Sequence, residues 1–309
     1  MTDILNLTLI TIVSVGFIIG ILGNTFMALV NIMDWVKRRK ISSVDLILTA
    51  LSVSRIAFLC LFTSSLLLSL LYPGSITREK IVRMVSMFFL VTNHFSIWLA
   101  TCLSIFYFFK IANFSNSLFL YLKWRVEKVV SVTLLMSLLL LFINIVIIYT
   151  QMDAWVHGFK ANISYSLISS NFVKFSNSLL FANTMFTFIP FTMSLMTFLL
   201  LIFSLLKHLK NMHCKSKGSR DVSTAAHIKA LQTVVAFLLL YTLFSLALLL
   251  QSQSTYLQMR NPSSLFWGVM GIAFPSGHSC VLIVGNSKLR RASLWCLRCR
   301  MKEATLLSS

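Results

Sequence analysis

Between Val129 and Met152 the chain reads VVSVTLLMSLLLLFINIVIIYTQM, 24 residues without a charged side chain. Crossing the hydrocarbon core of a bilayer takes about 20 residues of helix. A barrel strand would alternate polar and apolar over about ten residues, whereas this run is apolar on every face. It reads as a membrane-spanning helix. Six further charge-free runs share its character: Ile4–Met33, Ile56–Thr77, Met84–Phe109, Phe175–Leu206, Ala230–Met259 and Asn261–Ser287. The second helix has to begin before its run, near Ser43, and so contains Asp45 and Arg55. The expectation is an all-α membrane protein, one domain of seven transmembrane helices over residues 1–309. The spans are expected at 5–33, 43–71, 83–109, 129–149, 179–206, 229–250 and 264–284, with 285–309 as a cytoplasmic tail.

Composition agrees. The 309 residues are 57% hydrophobic and 11% charged, at mean hydropathy +0.85, where soluble domains carry roughly a quarter charged residues. A net charge of +19 on a polar globular surface would suggest nucleic acid. Here the Lys and Arg lie in short clusters between apolar runs, so no nucleic-acid partner is expected. The segments 34–40, 110–128, 207–229 and 285–309 hold 20 of the 27 basic residues; the alternate segments hold 6, and Arg55 is the last. The positive-inside rule then puts the N-terminus outside and the C-terminus inside. The first run opens on Asp3 rather than a basic residue and is about twice the usual 7–15 apolar residues of a signal peptide. The cluster Lys37–Lys40 follows as a stop-transfer flank, so the run is expected to stay as a mature span.

Three sequons test the topology. Asn162 falls in the longest outer segment and suits glycosylation; Asn6 lies close to the bilayer; Asn113 falls inside. The six cysteines are Cys60, Cys102 and Cys280 within spans and Cys214, Cys296 and Cys299 in inner segments. No outer segment has one, so no disulfide can staple the outer loops. Cys296 and Cys299 lie on a stretch that mixes Leu289, Leu294, Trp295 and Leu297 with Arg290, Arg291, Arg298 and Arg300. That suits an interfacial helix in contact with membrane lipid, with palmitoylated or free thiols.

Polar residues inside spans carry information because they are expensive there. Arg55 lies about twelve residues into its helix, roughly 18 Å along it, close to mid-membrane. Asp45 is too far along the helix to pair with it, and Asn24 and Ser279 are candidate partners. Asn93 either joins helices or faces a cavity. His94 is expected to be a satisfied structural histidine. Pro275, just before His278, permits a kink.

No catalytic pattern is visible. There are eight acidic residues, and no phosphate loop, nucleophile elbow or metal spacing. The chain is not expected to be an enzyme or to hold a cofactor or metal. Inverted repeats of the transporter kind and pore-lining charge rings are also missing, which leaves a receptor.

Eight stretches resemble the bitter taste receptors, the taste receptor type 2 branch of the G-protein-coupled receptors. In order they are Gly20–Asn24, Asp34–Lys37, Leu51–Arg55, Asn93–Thr101, Phe106–Ser115, Leu201–Lys210, Ala226–Leu231 and Pro275–Ser279. The resemblance runs the length of the chain and implies a multi-pass plasma-membrane receptor. It would bind bitter small molecules and activate a gustducin-type G protein, with phospholipase C and calcium release downstream. It implies a core and activation network of Asn24, Arg55, Tyr107, Lys110, Pro275, His278 and Ser279. Tyr107, Lys110, His208 and Lys229 would face the G protein. The implied agonist pocket lies in the outer half, at Phe89, Asn93, Asn183, Thr187, Phe244 and Gly268, which moves Asn93 toward a pocket role. Phe89 stands where many members have Trp, Gly268 where several have an acid, and Cys280 where an aromatic is usual. A pocket without a carboxylate implies neutral or weakly polar agonists. The rival readings are a type 1 vomeronasal pheromone receptor and a small-solute transporter.

Overall fold

The computed structural model describes residues 2–39, 41–71, 79–160, 165–213, 228, 232–233, 235–246 and 262–308, with side chains over a narrower set within them. Among the described residues there are helices and connecting segments and no strand. The helices are α1 (Thr2–Arg38), α2 (Ser43–Leu71), α3 (Glu79–Ile111), α4 (Ser117–Trp124), α5 (Val126–Lys160), α6 (Tyr165–His213), α7 (Val235–Leu246), α8 (Pro262–Gly285) and α9 (Ser287–Ser308). Five of them, α1, α2, α3, α5 and α6, are long and apolar enough over the described residues to cross a membrane. The bent pair α8 and α9 makes a sixth if counted as one span, and α7 is described over a shorter apolar stretch.

In lipid every backbone polar group must be satisfied within the segment, which is why such apolar runs become helices. Helix continues past where charge begins: α5 extends to Lys160 and α6 begins at Tyr165, so much of the segment read as an outer loop is helical. No proline lies between Pro73 and Pro190 to stop it. The short α4 lies in a segment where the apolar runs lead to no expected helix. Asn116 accepts the Leu118 amide at 2.8 Å, and Phe119 turns in onto Phe108, Phe109 and Phe114.

α3 is the axial helix. It packs against α2, α5 and α6, and 72% of the residues in its apolar stretch are buried, against 22% in α1 and α5. The remaining apolar faces of α1 and α5 are those a bilayer would cover. Hydroxyls join α3 to α6: Ser194 donates to Thr101 Oγ1 at 2.9 Å, and Ser104 meets Thr197 at 3.2 Å. The Pro190 carbonyl accepts from Thr101 at 3.3 Å. α1 packs on α8 through small residues, with Ser276 Oγ donating to the Gly16 carbonyl at 2.9 Å. At one end of the bundle Arg83 of α3 pairs with Asp153 of α5 at 3.1 Å and lies over the Tyr149 ring. At the other end α9 leaves α8 at 92°. Asn286 makes that corner by accepting the amides of Lys288 (2.9 Å) and Leu289 (3.3 Å), which satisfies orphan donors at the helix start.

Candidate functional site

Three polar regions lie along the bundle. The first is a small cleft between α3, α5 and α6, with a cavity of about 10 Å³, room for about one water. Asn93, His94 and Trp98 line it from α3, Asn144 from α5, and Thr187 and Pro190 from α6. Asn93 and Thr187 are buried, and no carboxylate is among the lining residues. His94 lies against Trp98, ring centroids 5.9 Å apart, and edge-on to Phe95. His94 Nε2 and Asn144 Oδ1 are both buried without a partner. His94, expected as a satisfied structural histidine, thus has its Nε2 without a partner among the described residues. Asn144 escaped the sequence reading; its one signal was an isolated amide inside the apolar run 129–152.

Of the other residues expected in the pocket, Phe89 and Phe244 are not among the residues that line this cleft. Phe89 turns toward α2, 5.2 Å from the Phe58 ring and 6.3 Å from Phe62. Phe244 stacks on Phe274 of α8 at 4.8 Å. Asn183 lies on α6 and Gly268 on α8, with side-chain surroundings outside the described set.

The second region is mid-bundle. Arg55 is fully buried; its Nη2 donates to His278 Nδ1 and its Nη1 reaches Ser279 Oγ at 3.4 Å. An arginine only donates, so Nδ1 accepts and the His278 proton sits on Nε2. Ser279 Oγ lies 2.8 Å from Asn24 Oδ1 and 2.6 Å from the Pro275 carbonyl, while Asn24 Nδ2 donates to the Gly20 carbonyl at 2.7 Å. The guanidinium also lies over the Phe274 ring, 5.4 Å from its centroid. Asn24, Arg55, Pro275, His278 and Ser279 thus join α1, α2 and α8. An aromatic column continues from here: Phe237 of α7 sits 4.3 Å from His278, and Tyr241 stacks on Phe274 at 5.2 Å.

The third region is the basic end. Lys288 binds Asp34 of α1 at 2.9 Å and Asp45 of α2 at 3.1 Å. Its hydrogen bond, with Arg38 alongside, holds the Asp34 carboxyl below the usual carboxylate range. Tyr107 of α3 is partly buried against the core of the bundle. Lys110 is exposed, with its ammonium 5.7 Å from the Phe106 ring centroid. His208 lies on α6 without a described side chain, and Lys229 and Asn162 lie outside the described residues.

The family model for the taste receptor protein (TAS2R) matches residues 1–301. The chain belongs to the taste receptor type 2 family. It is 57% identical over 303 residues to taste receptor type 2 member 140 of Rattus norvegicus, covering 97% of each chain. It is 54% identical to member 103 of the same species over 303 residues, covering 97% of this chain and 96% of the relative. It is 52% identical to member 14 of Homo sapiens over 280 residues, covering 91% and 88%. Membership makes it a bitter taste receptor with the seven-helix G-protein-coupled fold and a place as a multi-pass protein of the plasma membrane. The family is one of receptors rather than enzymes, and it works by binding ligands and coupling to G proteins.

Proposed function

We propose that this receptor binds neutral or weakly polar bitter compounds in the outer half of its bundle and signals through a gustducin-type G protein. The observation that supports this most directly is the carboxylate-free cleft lined by Asn93 and Thr187. A cationic amine entering it would meet no counterion, whereas the hydrogen-bonding groups of Asn93, Asn144 and Thr187 beside Leu90, Ile97 and Phe186 suit a neutral ligand. Asn183, Phe89, Phe244 and Gly268 would join the pocket as it widens around an agonist. Topology rests on the 20-to-6 division of basic residues, which puts the N-terminus outside and leaves Asn162 available for glycosylation.

An agonist that binds one helix arrangement better shifts the population toward it. The network of Asn24, Arg55, Pro275, His278 and Ser279 would hold α1, α2 and α8 as a frame against which the other helices move. Tyr107, Lys110, His208 and Lys229 would then meet the G protein, with phospholipase C and calcium release following.

The test is calcium release in cells that supply a gustducin-like G protein, across a panel of neutral and amine bitter compounds. Asn93→Ala is expected to weaken neutral agonists by roughly five- to tenfold, the worth of a single hydrogen bond. If amines lost potency on Asn93→Ala while neutral compounds kept theirs, the reading would be overturned.

A further inference from the structure

The first turns of α9 contain Leu289-Arg290-Arg291-Ala292-Ser293-Leu294. Two arginines stand three and two positions before a serine, and an apolar residue follows it. A kinase groove with acidic side chains reads such an array through charge-assisted, bidentate pairing to the guanidinium groups. An apolar pocket takes the residue after the acceptor. We propose that Ser293 is a phosphoacceptor for an arginine-directed serine kinase, and that its modification loosens α9 from an anionic membrane surface. The proposal rests on the cytoplasmic placement of α9 given above.

The geometry fits. The anchors of α9 precede the motif: Lys288 is held by Asp34 and Asp45, and Leu289 is fully buried. Beyond them Arg291 is exposed, and Leu294, Trp295 and Leu297 are open at 46%, 68% and 60%. The principal packing partners of α9 among the described elements are α8 and α1. Helices in proteins owe most of their stability to tertiary packing rather than to propensity, so this stretch can unwind into the extended form a kinase binds. Ser293 Oγ donates only to the Arg290 carbonyl of its own helix, at 2.9 Å. Unwinding releases that bond and frees the hydroxyl.

In the transfer, Ser293 Oγ attacks the γ-phosphorus of magnesium-bound ATP. The Oγ–P bond forms as the bond from that phosphorus to the β,γ-bridging oxygen breaks. ADP leaves with the electron pair, and the hydroxyl proton passes to the catalytic carboxylate of the kinase. Six cations and Glu303 give α9 a charge of +5, and a phosphoserine lowers that by about 1.5 to 2. A basic helix with apolar side chains beside its charges lies on an anionic leaflet. A dianion inserted among those charges opposes the attachment.

The test incubates the purified full-length receptor with the catalytic subunit of cAMP-dependent protein kinase and magnesium-ATP, then maps phosphate by mass spectrometry. Stoichiometric phosphate on Ser293 is expected. It should vanish in Ser293→Ala and fall roughly tenfold or more when Arg290 and Arg291 are both changed to Ala, since each removes charge-assisted bonds. Ser293→Ala should keep the agonist response of the parent, so that the loss is not one of folding. In receptor-containing nanodiscs with phosphatidylserine, amide exchange over 290–299 should rise on phosphorylation; unchanged exchange overturns the loosening. Cells with raised cAMP should carry the same mark. Modification in detergent but not in cells overturns the proposal through its topology, and an unmodified Ser293 in both overturns it at the motif.

Discussion

Arg55 is a full charge buried mid-bundle, and among the described residues its contacts are a histidine nitrogen, a serine hydroxyl and an aromatic face rather than a carboxylate. Burying an ion without an opposite charge is costly, so the surrounding acceptors decide whether it can stay. Arg55→Ala would leave a cavity and strand the groups around His278 and Ser279. It is expected to lower stability by about 2–4 kcal/mol, read as a lower midpoint in thermal unfolding of the purified receptor. A variant that melts with the parent would refute a stabilising role. Two neighbouring glycines offer a sharper contrast. A methyl on Gly20 would run into the Ser276 hydroxyl and lie 2.6 Å from Leu59 Cδ1, whereas one on Gly23 would sit 3.5 Å from Ser279 Cβ. Gly20→Ala should therefore cost about 1–3 kcal/mol through overpacking, and Gly23→Ala should be tolerated. Equal melting of the two variants would contradict this packing.

Among the elements, α9 depends on its corner. Asn286→Ala removes the cap and should cost about 1 kcal/mol locally, visible as faster amide exchange over 287–291 with the rest of the bundle unchanged. The Asp34–Lys288 contact adds a pH dependence of known sign. Because the Asp34 carboxyl is held below its ordinary value of 3.8, its contribution is fully present above that value. It is lost as pH falls through the lower, folded value. Protection of the α9 amides, with the intrinsic pH dependence of exchange divided out, should thus stay flat from neutral pH to about 5; a loss of protection in that interval would mean another group controls the corner. Element ends were the least legible part of the sequence. Charge marks where a helix leaves the bilayer, not where it stops, which is why α6 runs over Tyr165–His213 while its apolar run is shorter. α4 was invisible because a helix of 8 residues has no long apolar period.

For the whole molecule, the all-helical membrane fold could be read from the apolar runs because bilayer thickness imposes one length on every crossing. The site was only partly legible. Charge and proline single out Arg55 and Pro275, but which face a side chain takes is set by packing around α3, and no run of letters encodes that. Phe89 turned to α2, Phe244 stacked on α8, and Asn144 lay unnoticed among leucines. At the end proposed as outer, the Arg83–Asp153 pair does what sulfur cannot do where the segments proposed as outer lack cysteine. Electrostatic screening shortens from about 10 Å at 0.1 M salt to 3 Å at 1 M, and a partly exposed pair is worth about 1 kcal/mol or less. Raising sodium chloride across that range should speed amide exchange near Arg83 and Asp153, and dithiothreitol should leave it unchanged. A response to the reductant instead would point to a hidden thiol bond. A rim fastened this way answers to the ionic strength of the fluid that bathes it and is indifferent to its redox state.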